Sequence, residues 1–170
     1  MPKSEDGADR RVAVPIPFND DRPKRSICGD QKATYGLSRG VVECTGSPAS
    51  DLAALLGNQL RASGYDVKAG DGSVGADTLR VEGDLLQFFV ERVRAGGDVE
   101  ADIHVRLRAS SSSGLLAERE FYKKGRANNY QRAVNSAVRK TLIAMTAAIT
   151  GLLDQHPTVA RSTGRFTNDP

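Results

Sequence analysis

Apolar positions in this chain follow two different periods. Val99, Ala101, Ile103, Val105 and Leu107 share one parity, while Glu100, Asp102, His104, Arg106 and Arg108 share the other. Strict alternation with one charged side marks a half-buried antiparallel strand with a wet outer face. Further on, Val134, Val138, Leu142, Met145, Ile149 and Leu152 recur in steps of three and four, with Ala133, Ala137, Thr141 and Ala148 beside them. That is the apolar stripe of a long amphipathic helix. Asn128 or Asn129 supplies its cap and Pro157 its stop.

The remaining segments are read in the same way. Thr78 to Arg94 is a long strand, but Leu79, Val81 and Leu85 share one parity and Leu86, Phe88 and Val90 the other. The switch at Leu85-Leu86 predicts a β-bulge. Ala95-Gly96-Gly97-Asp98 is a hairpin signal, and Ser110 to Gly114 a second turn leading into a strand over Leu115 to Lys124. Ser47-Pro48 opens an earlier helix, Leu52, Leu55, Leu56, Gln59 and Leu60 mark its face, and Ser63-Gly64 closes it. Tyr65 to Ala69 follows as a short strand, then a Gly/Asp turn region over residues 70–76. Near the start, Arg11 to Phe18 is a short strand whose prolines, Pro15 and Pro17, demote it to a sheet edge or a strand end. Residues 19–47 form a long loop, with Ile27-Cys28 and Leu37 to Val42 as candidate short strands inside it.

The resulting expectation is an α+β fold. It has a single antiparallel sheet, mixed at its edge, of about 4–5 strands, with two amphipathic helices packed on one face. Residues 1–10 form a disordered leader, 11–155 a single α/β domain and 156–170 a disordered tail.

The length of 170 residues suits one domain that buries a full core without metals. Aromatics are 5% and Trp is absent, so that core is aliphatic. A net charge of +3 falls short of a dedicated nucleic-acid binder. Met1 to Arg11 lacks the apolar stretch of a signal peptide, and Leu142 to Leu153 is too short to span a bilayer. Cys28 and Cys44 leave three readings open: a disulfide, two separate thiols, or a metal site for which two sulfurs are too few ligands.

No residue set points to catalysis. His104 sits among charged residues and His156 follows the last helix, both without a partner at catalytic spacing. The pairs Glu100/Asp102 and Glu118/Glu120 alternate with Arg106, Arg108 and Arg119, which predicts cross-strand ion pairs on a wet sheet. Gly70-Asp71-Gly72 and Gly75 lack the lysine of a phosphate loop. The expectation is therefore no enzyme, no cofactor and no metal. One charge feature stands out. Lys123, Lys124, Arg126, Arg132, Arg139 and Lys140 lie in a run, Phe121 to Lys140, that contains no acid. A solvated face accounts for it, and so does an anionic partner such as lipid headgroups; nucleic acid lacks a recognition motif here.

Several stretches resemble a known family. Val12-Ala13-Val14-Pro15, Phe18-Asn19-Asp20-Asp21-Arg22-Pro23 and Ile27-Cys28-Gly29 are similar to the strand, "F-x-D-x-R" and "I-G" opening of YajG-type bacterial envelope lipoproteins. Leu60 to Val67 matches their "L-x-x-x-G-F-x-V". Leu79-Arg80-Val81-Glu82-Gly83 with Phe88-Phe89-Val90 resembles the strand that follows. Auxiliary lipoproteins of ABC-type lipid transporters share the layout. The resemblance covers roughly residues 11–154. It implies a periplasmic, non-enzymatic domain, tethered to the outer membrane by a lipid anchor, that binds or scaffolds envelope protein partners. The lipobox of that family is missing from this sequence, and a Cys28/Cys44 disulfide would suit the oxidising periplasm. The alternative function is a module for an anionic ligand or nucleic acid, using the basic segment 123–140.

Overall fold

The computed structural model describes residues 11–14, 18–33, 37–69, 78–93 and 97–156. In chain order they form β1 (Arg11–Val14), β2 (Asn19–Asp20), β3 (Ile27–Lys32), β4 (Ser38–Glu43), α1 (Pro48–Ala62), β5 (Asp66–Ala69), β6 (Thr78–Arg92), β7 (Val99–Ser111), β8 (Gly114–Ala127) and α2 (Tyr130–Gln155). The predicted leader, the prolines at 15 and 17, the turn at 70–76, residues 95 and 96 of the hairpin signal and the tail beyond His156 lie outside the described residues.

The fold is mixed α+β, with one open sheet and two helices. The sheet has eight strands, which corrects the expected 4–5. The reason lies in β6, whose 15 residues offer two full edges. One edge takes β7 antiparallel, and β7 in turn takes β8. Along the other edge the N-terminal segment lies down in three pieces, all parallel to β6. β1 pairs with Thr78 to Arg80, β2 with Asp84 and Leu85, and β3 with Val90 and Glu91. β5 extends the sheet beyond β1, and β4 extends it beyond β3. Of the two readings for β1, sheet edge or strand end, the edge does not hold, because β1 ends at Val14 and sits between two neighbours; the expected loop 19–47 is largely a strand fragment plus the β3–β4 hairpin. Short pieces of this kind carry too little periodicity to be read locally; the ladder of β6 specifies them.

The antiparallel half is the meander expected. The register slips between Leu85 and Gln87, so Leu85 opposes Val105 while Phe88 opposes Ile103. Both residues then face the helices across the bulge at Leu86, which explains the parity switch. Val99, Ala101, Ile103, Val105, Leu107 and Ala109 are all buried.

Helix α1 begins as its sequence predicts. The Ser50 N–H donates to the Ser47 hydroxyl at 3.2 Å, Pro48 fills the first turn, and Gly64 just past the end has φ +90°. Its buried face is Ala49, Leu52, Ala53, Leu56, Gly57 and Leu60; Gln59 and Leu55 are exposed, the latter by 42%. Helix α2 is capped by Asn129, whose side-chain oxygen accepts from the Arg132 N–H at 2.9 Å. Its buried stripe is Ala133, Ala137, Thr141, Met145, Ile149 and Leu153. Val134, Val138, Leu142 and Leu152, expected at the centre, are only partly buried. Gly125 of β8 sets this rotation. A Cβ there would overlap the Ala133 carbonyl oxygen and the Ala137 nitrogen, so the helix backbone lies directly on the strand and only small residues fit between. The Thr141 hydroxyl, buried in this seam, donates to the Ala137 carbonyl at 2.9 Å. Helix α2 has the length and hydropathy to cross a bilayer. Here its Ala133–Leu153 stripe is packed against the sheet instead.

Candidate functional site

The two helices diverge over the β3–β4 end of the sheet, leaving a groove of about 430 Å³. Leu52 and Leu55 of α1 form one wall, Val134 and Val138 of α2 the other, and Val42, Phe88 and Val90 the floor. Its mouth is polar, with Glu43, Asp51, Gln131 and Asn135 exposed around it. An apolar trough with a few convergent polar groups is the usual form of a binding site. The lining includes two carboxylates, Glu43 and Asp51, and no Lys or Arg, so the mouth favours a cationic or hydrogen-bond-donating group.

The Cys28–Cys44 disulfide lies in the groove wall. The bond closes the β3–β4 hairpin, with the two Cα atoms 5.1 Å apart, and decides among the three readings of these cysteines. Behind it stands a buried cation. Arg22 is 6% exposed, and its Nε and Nη2 donate to the two carboxylate oxygens of Asp20 at 2.8 and 2.7 Å. Nη2 also donates to the Arg25 carbonyl at 2.8 Å, and Nη1 reaches Cys44 Sγ at 3.4 Å and Cys28 Sγ at 3.6 Å. The hydrogen bond from Arg22 holds the Asp20 carboxyl below the usual carboxylate range. Phe18 is also buried, its ring lying where a Cβ on Gly83 would sit 2.6 Å away. Phe18, Asp20 and Arg22 are therefore the framework that seats β3 and its disulfide beside β6. A second hollow of about 240 Å³, between Arg22–Ile27 and Leu86–Phe89, lies on the other side of this framework.

The basic run does not form one patch. Lys124 and Arg126 project from the outer sheet face, where Lys124 Nζ meets Glu100 at 2.6 Å and Asp102 at 3.3 Å, and Arg126 meets Glu100 at 3.1 Å. The Lys124 bond holds the Glu100 carboxyl low, and Glu100 in turn raises Lys124. Lys123 opposes Ile103 and so lies on the helix side of β8. Lys140 of α2 donates to the Lys124 backbone carbonyl at 2.8 Å. Arg132 and Arg139 are exposed along α2.

The expected cross-strand pairing is present on the outer face. Arg106 donates twice to Glu120 Oε1, at 3.0 and 2.9 Å, and His104 Nε2 lies 3.0 Å from Glu120 Oε2. The Arg106 bond, with His104 second, depresses the Glu120 carboxyl. The His104 ring meets Tyr122 edge-on with centroids 5.9 Å apart. Arg119 opposes Leu107 on the other face, which removes it from this set. Asp84, 3% exposed, accepts from Asn19 at 2.9 Å and Arg108 at 2.8 Å. His156 caps the end of α2. Among the described residues no three His, Cys, Asp or Glu side chains gather as a metal site.

Sequence reading missed the groove because its wall residues had been assigned to the core. Leu55, Val134 and Val138 extend the apolar stripes beyond what each helix buries. That excess width was the available signal.

No family model matches this chain, and no curated protein is significantly similar to it in sequence. Solved structures share its fold. Protein XCC0632 from Xanthomonas campestris, of the family DUF330, is 16% identical with a TM-score of 0.54, over 86% of this chain and 88% of that one. Protein CT253 from Chlamydia trachomatis is 8% identical with a TM-score of 0.57, over 85% of this chain and 98% of that one. At such identities the likeness is one of fold, and the fold is that of these bacterial proteins.

Proposed function

We propose that this chain is a non-enzymatic, binding or scaffolding component of a bacterial cell envelope, and that its groove between α1, α2 and the β3–β4 hairpin receives a protein partner. The observation that carries this reading is the apolar groove walled by a disulfide. Disulfides persist in oxidising compartments such as the periplasm, and this one lies where the two helices part. The YajG-like motifs support the same placement, and with it a lipid tether to the outer membrane; the fold itself is one found in bacterial proteins. The chemistry of the groove defines its occupant: an apolar anchor of two or three side chains, flanked by Lys or Arg that meets Glu43 and Asp51.

The test is photo-crosslinking in cells that express the native full-length protein. A crosslinker at Leu55, inside the groove, is compared with one at Leu115, which is 63% exposed elsewhere. The expected result is one discrete envelope adduct from position 55, absent from position 115 and lost with Asp51→Lys plus Glu43→Lys. Reduced Cys28 and Cys44 in a cytoplasmic fraction, or identical adducts from both positions, would overturn the reading.

A further inference from the structure

Strand β8 ends the sheet. Among the described residues it pairs with β7 alone, so its other edge of 14 residues is open. Long open edges are templates for another strand, and proteins commonly block them. The Lys140 ammonium sits on the Lys124 carbonyl here, a contact that a flexible side chain can release.

The outer face of β8, whose order complements that of β7, is also complementary to itself. Glu118 and Glu120 precede Tyr122, and Lys124 and Arg126 follow it, all on one face. An antiparallel second copy centred on Tyr122 sets Tyr122 opposite itself. The same register sets Glu120 against Lys124 of the other copy and Glu118 against Arg126. The β7 residues continue the pattern, because Arg106 lies opposite Glu120, and Asp102 opposite Lys124. Across the four central strands each row then reads basic, acidic, basic, acidic, and the middle row reads His104, Tyr122, Tyr122, His104. No row brings like charges together. Shifting the register by two residues removes the Tyr122 pair, since it sets Tyr122 against Glu120 in one direction and against Lys124 in the other. On the helix face, the same register sets Ala117 against Ala127, Arg119 against Gly125 and Phe121 against Lys123.

We infer that the open edge of β8 pairs antiparallel with the β8 edge of a second copy of this chain, about a two-fold axis through Tyr122, joining two sheets into one. This is an isologous contact, the type that closes on itself as a dimer. It is independent of the groove and of the compartment proposed above.

Cysteine crosslinking reads the register directly. Residues that face each other across a hydrogen-bonded antiparallel pair have Cα atoms about 5.5 Å apart, within disulfide reach. Tyr122→Cys is therefore expected to give a covalent dimer under mild oxidation. Glu118→Cys alone is expected to give none, because its two copies lie about 27 Å apart in this register. An equimolar mixture of Glu118→Cys and Arg126→Cys is expected to crosslink only as the mixed pair, and it tests the register with Tyr122 intact. Peptide mass mapping must show Cys28 still bonded to Cys44 in each case. Light scattering on the unaltered protein should give the mass of two chains. A monomer at all concentrations overturns the inference. So does a dimer in which neither Tyr122→Cys nor the mixed pair crosslinks.

Discussion

Asp20 and Arg22 are two residues apart in the sequence, and together they hold the disulfide hairpin against β6. Their side chains are only 17% and 4% exposed, and the guanidinium spends its donors on Asp20, two backbone carbonyls and the sulfur pair. Removing one member of such a pair leaves the other buried and unpaired. Asp20→Asn is expected to cost about 3 kcal/mol of stability at neutral pH in urea unfolding. The pH dependence follows from the direction of the shift. The folded carboxyl is depressed below its unfolded value of about 4, so its contribution is complete above pH 4 or so and fades as pH falls through the folded value. The gap between Asp20→Asn and the unaltered protein should therefore narrow in acid; a gap constant from pH 7 to pH 2 would exclude the ion pair as its cause. At this scale the motif Phe18-x-Asp20-x-Arg22 was legible as a resemblance, but its burial was not. A charged residue two places from an opposite charge on the chain reads as solvated until the ladder of β6 shows what covers it.

Among the elements, α2 shows how a neighbour overrides a helical pattern. By side-chain size its apolar axis runs through Val134, Val138 and Leu142, yet the axis that packs runs through Ala133, Ala137 and Thr141. Gly125 decides this, because bare backbone on β8 lets the first turns of α2 approach closely. Gly125→Ala must push backbone away from backbone and is expected to cost about 1–3 kcal/mol, measured as a lower urea midpoint with an unchanged slope. An unchanged midpoint would show that the seam has slack. The N-terminal hairpin is the opposite case, where few periodic residues define the element and a covalent bond secures it. In the chain-entropy model, closing a loop of about 15 residues stabilises by roughly 3 kcal/mol. Cys28→Ala plus Cys44→Ala should lose stability of that order and loosen the groove wall.

In the β6–β8 meander, the ion-paired charges lie on one side of the sheet and the buried aliphatic residues on the other. The outer face carries Glu100, Asp102 and Glu120, each paired with a cation from the adjacent strand. Glu100 and Glu120 have depressed carboxyls, so their contribution is present above about pH 4.5 and is lost as pH falls through the folded values. Several of these pairs are half exposed and screened by salt. Stability is thus expected to drop from pH 6 to pH 3 more steeply at 0.05 M than at 1 M NaCl, as read by urea midpoints. Equal drops at both salt concentrations would place the acid sensitivity in a buried group such as Asp20.

The sequence by itself determined the elements whose neighbours in space are also neighbours in the chain. The bulge at Leu86, the β6–β7–β8 meander, the caps Ser47 and Asn129 and the ion pairs of the outer face all follow from residues a turn or a hairpin apart. Local periodicity and local hydrogen bonding are enough for these. Tertiary structure alone decided that β1, β2 and β3 lie parallel along the far edge of β6, which side of α2 is buried, and where the helices part to leave the groove. Those choices join positions 65 residues apart, such as Asn19 and Asp84. A long strand with two satisfiable edges and a glycine that admits a helix backbone specify them, and neither condition leaves a periodic trace where its partner residues lie.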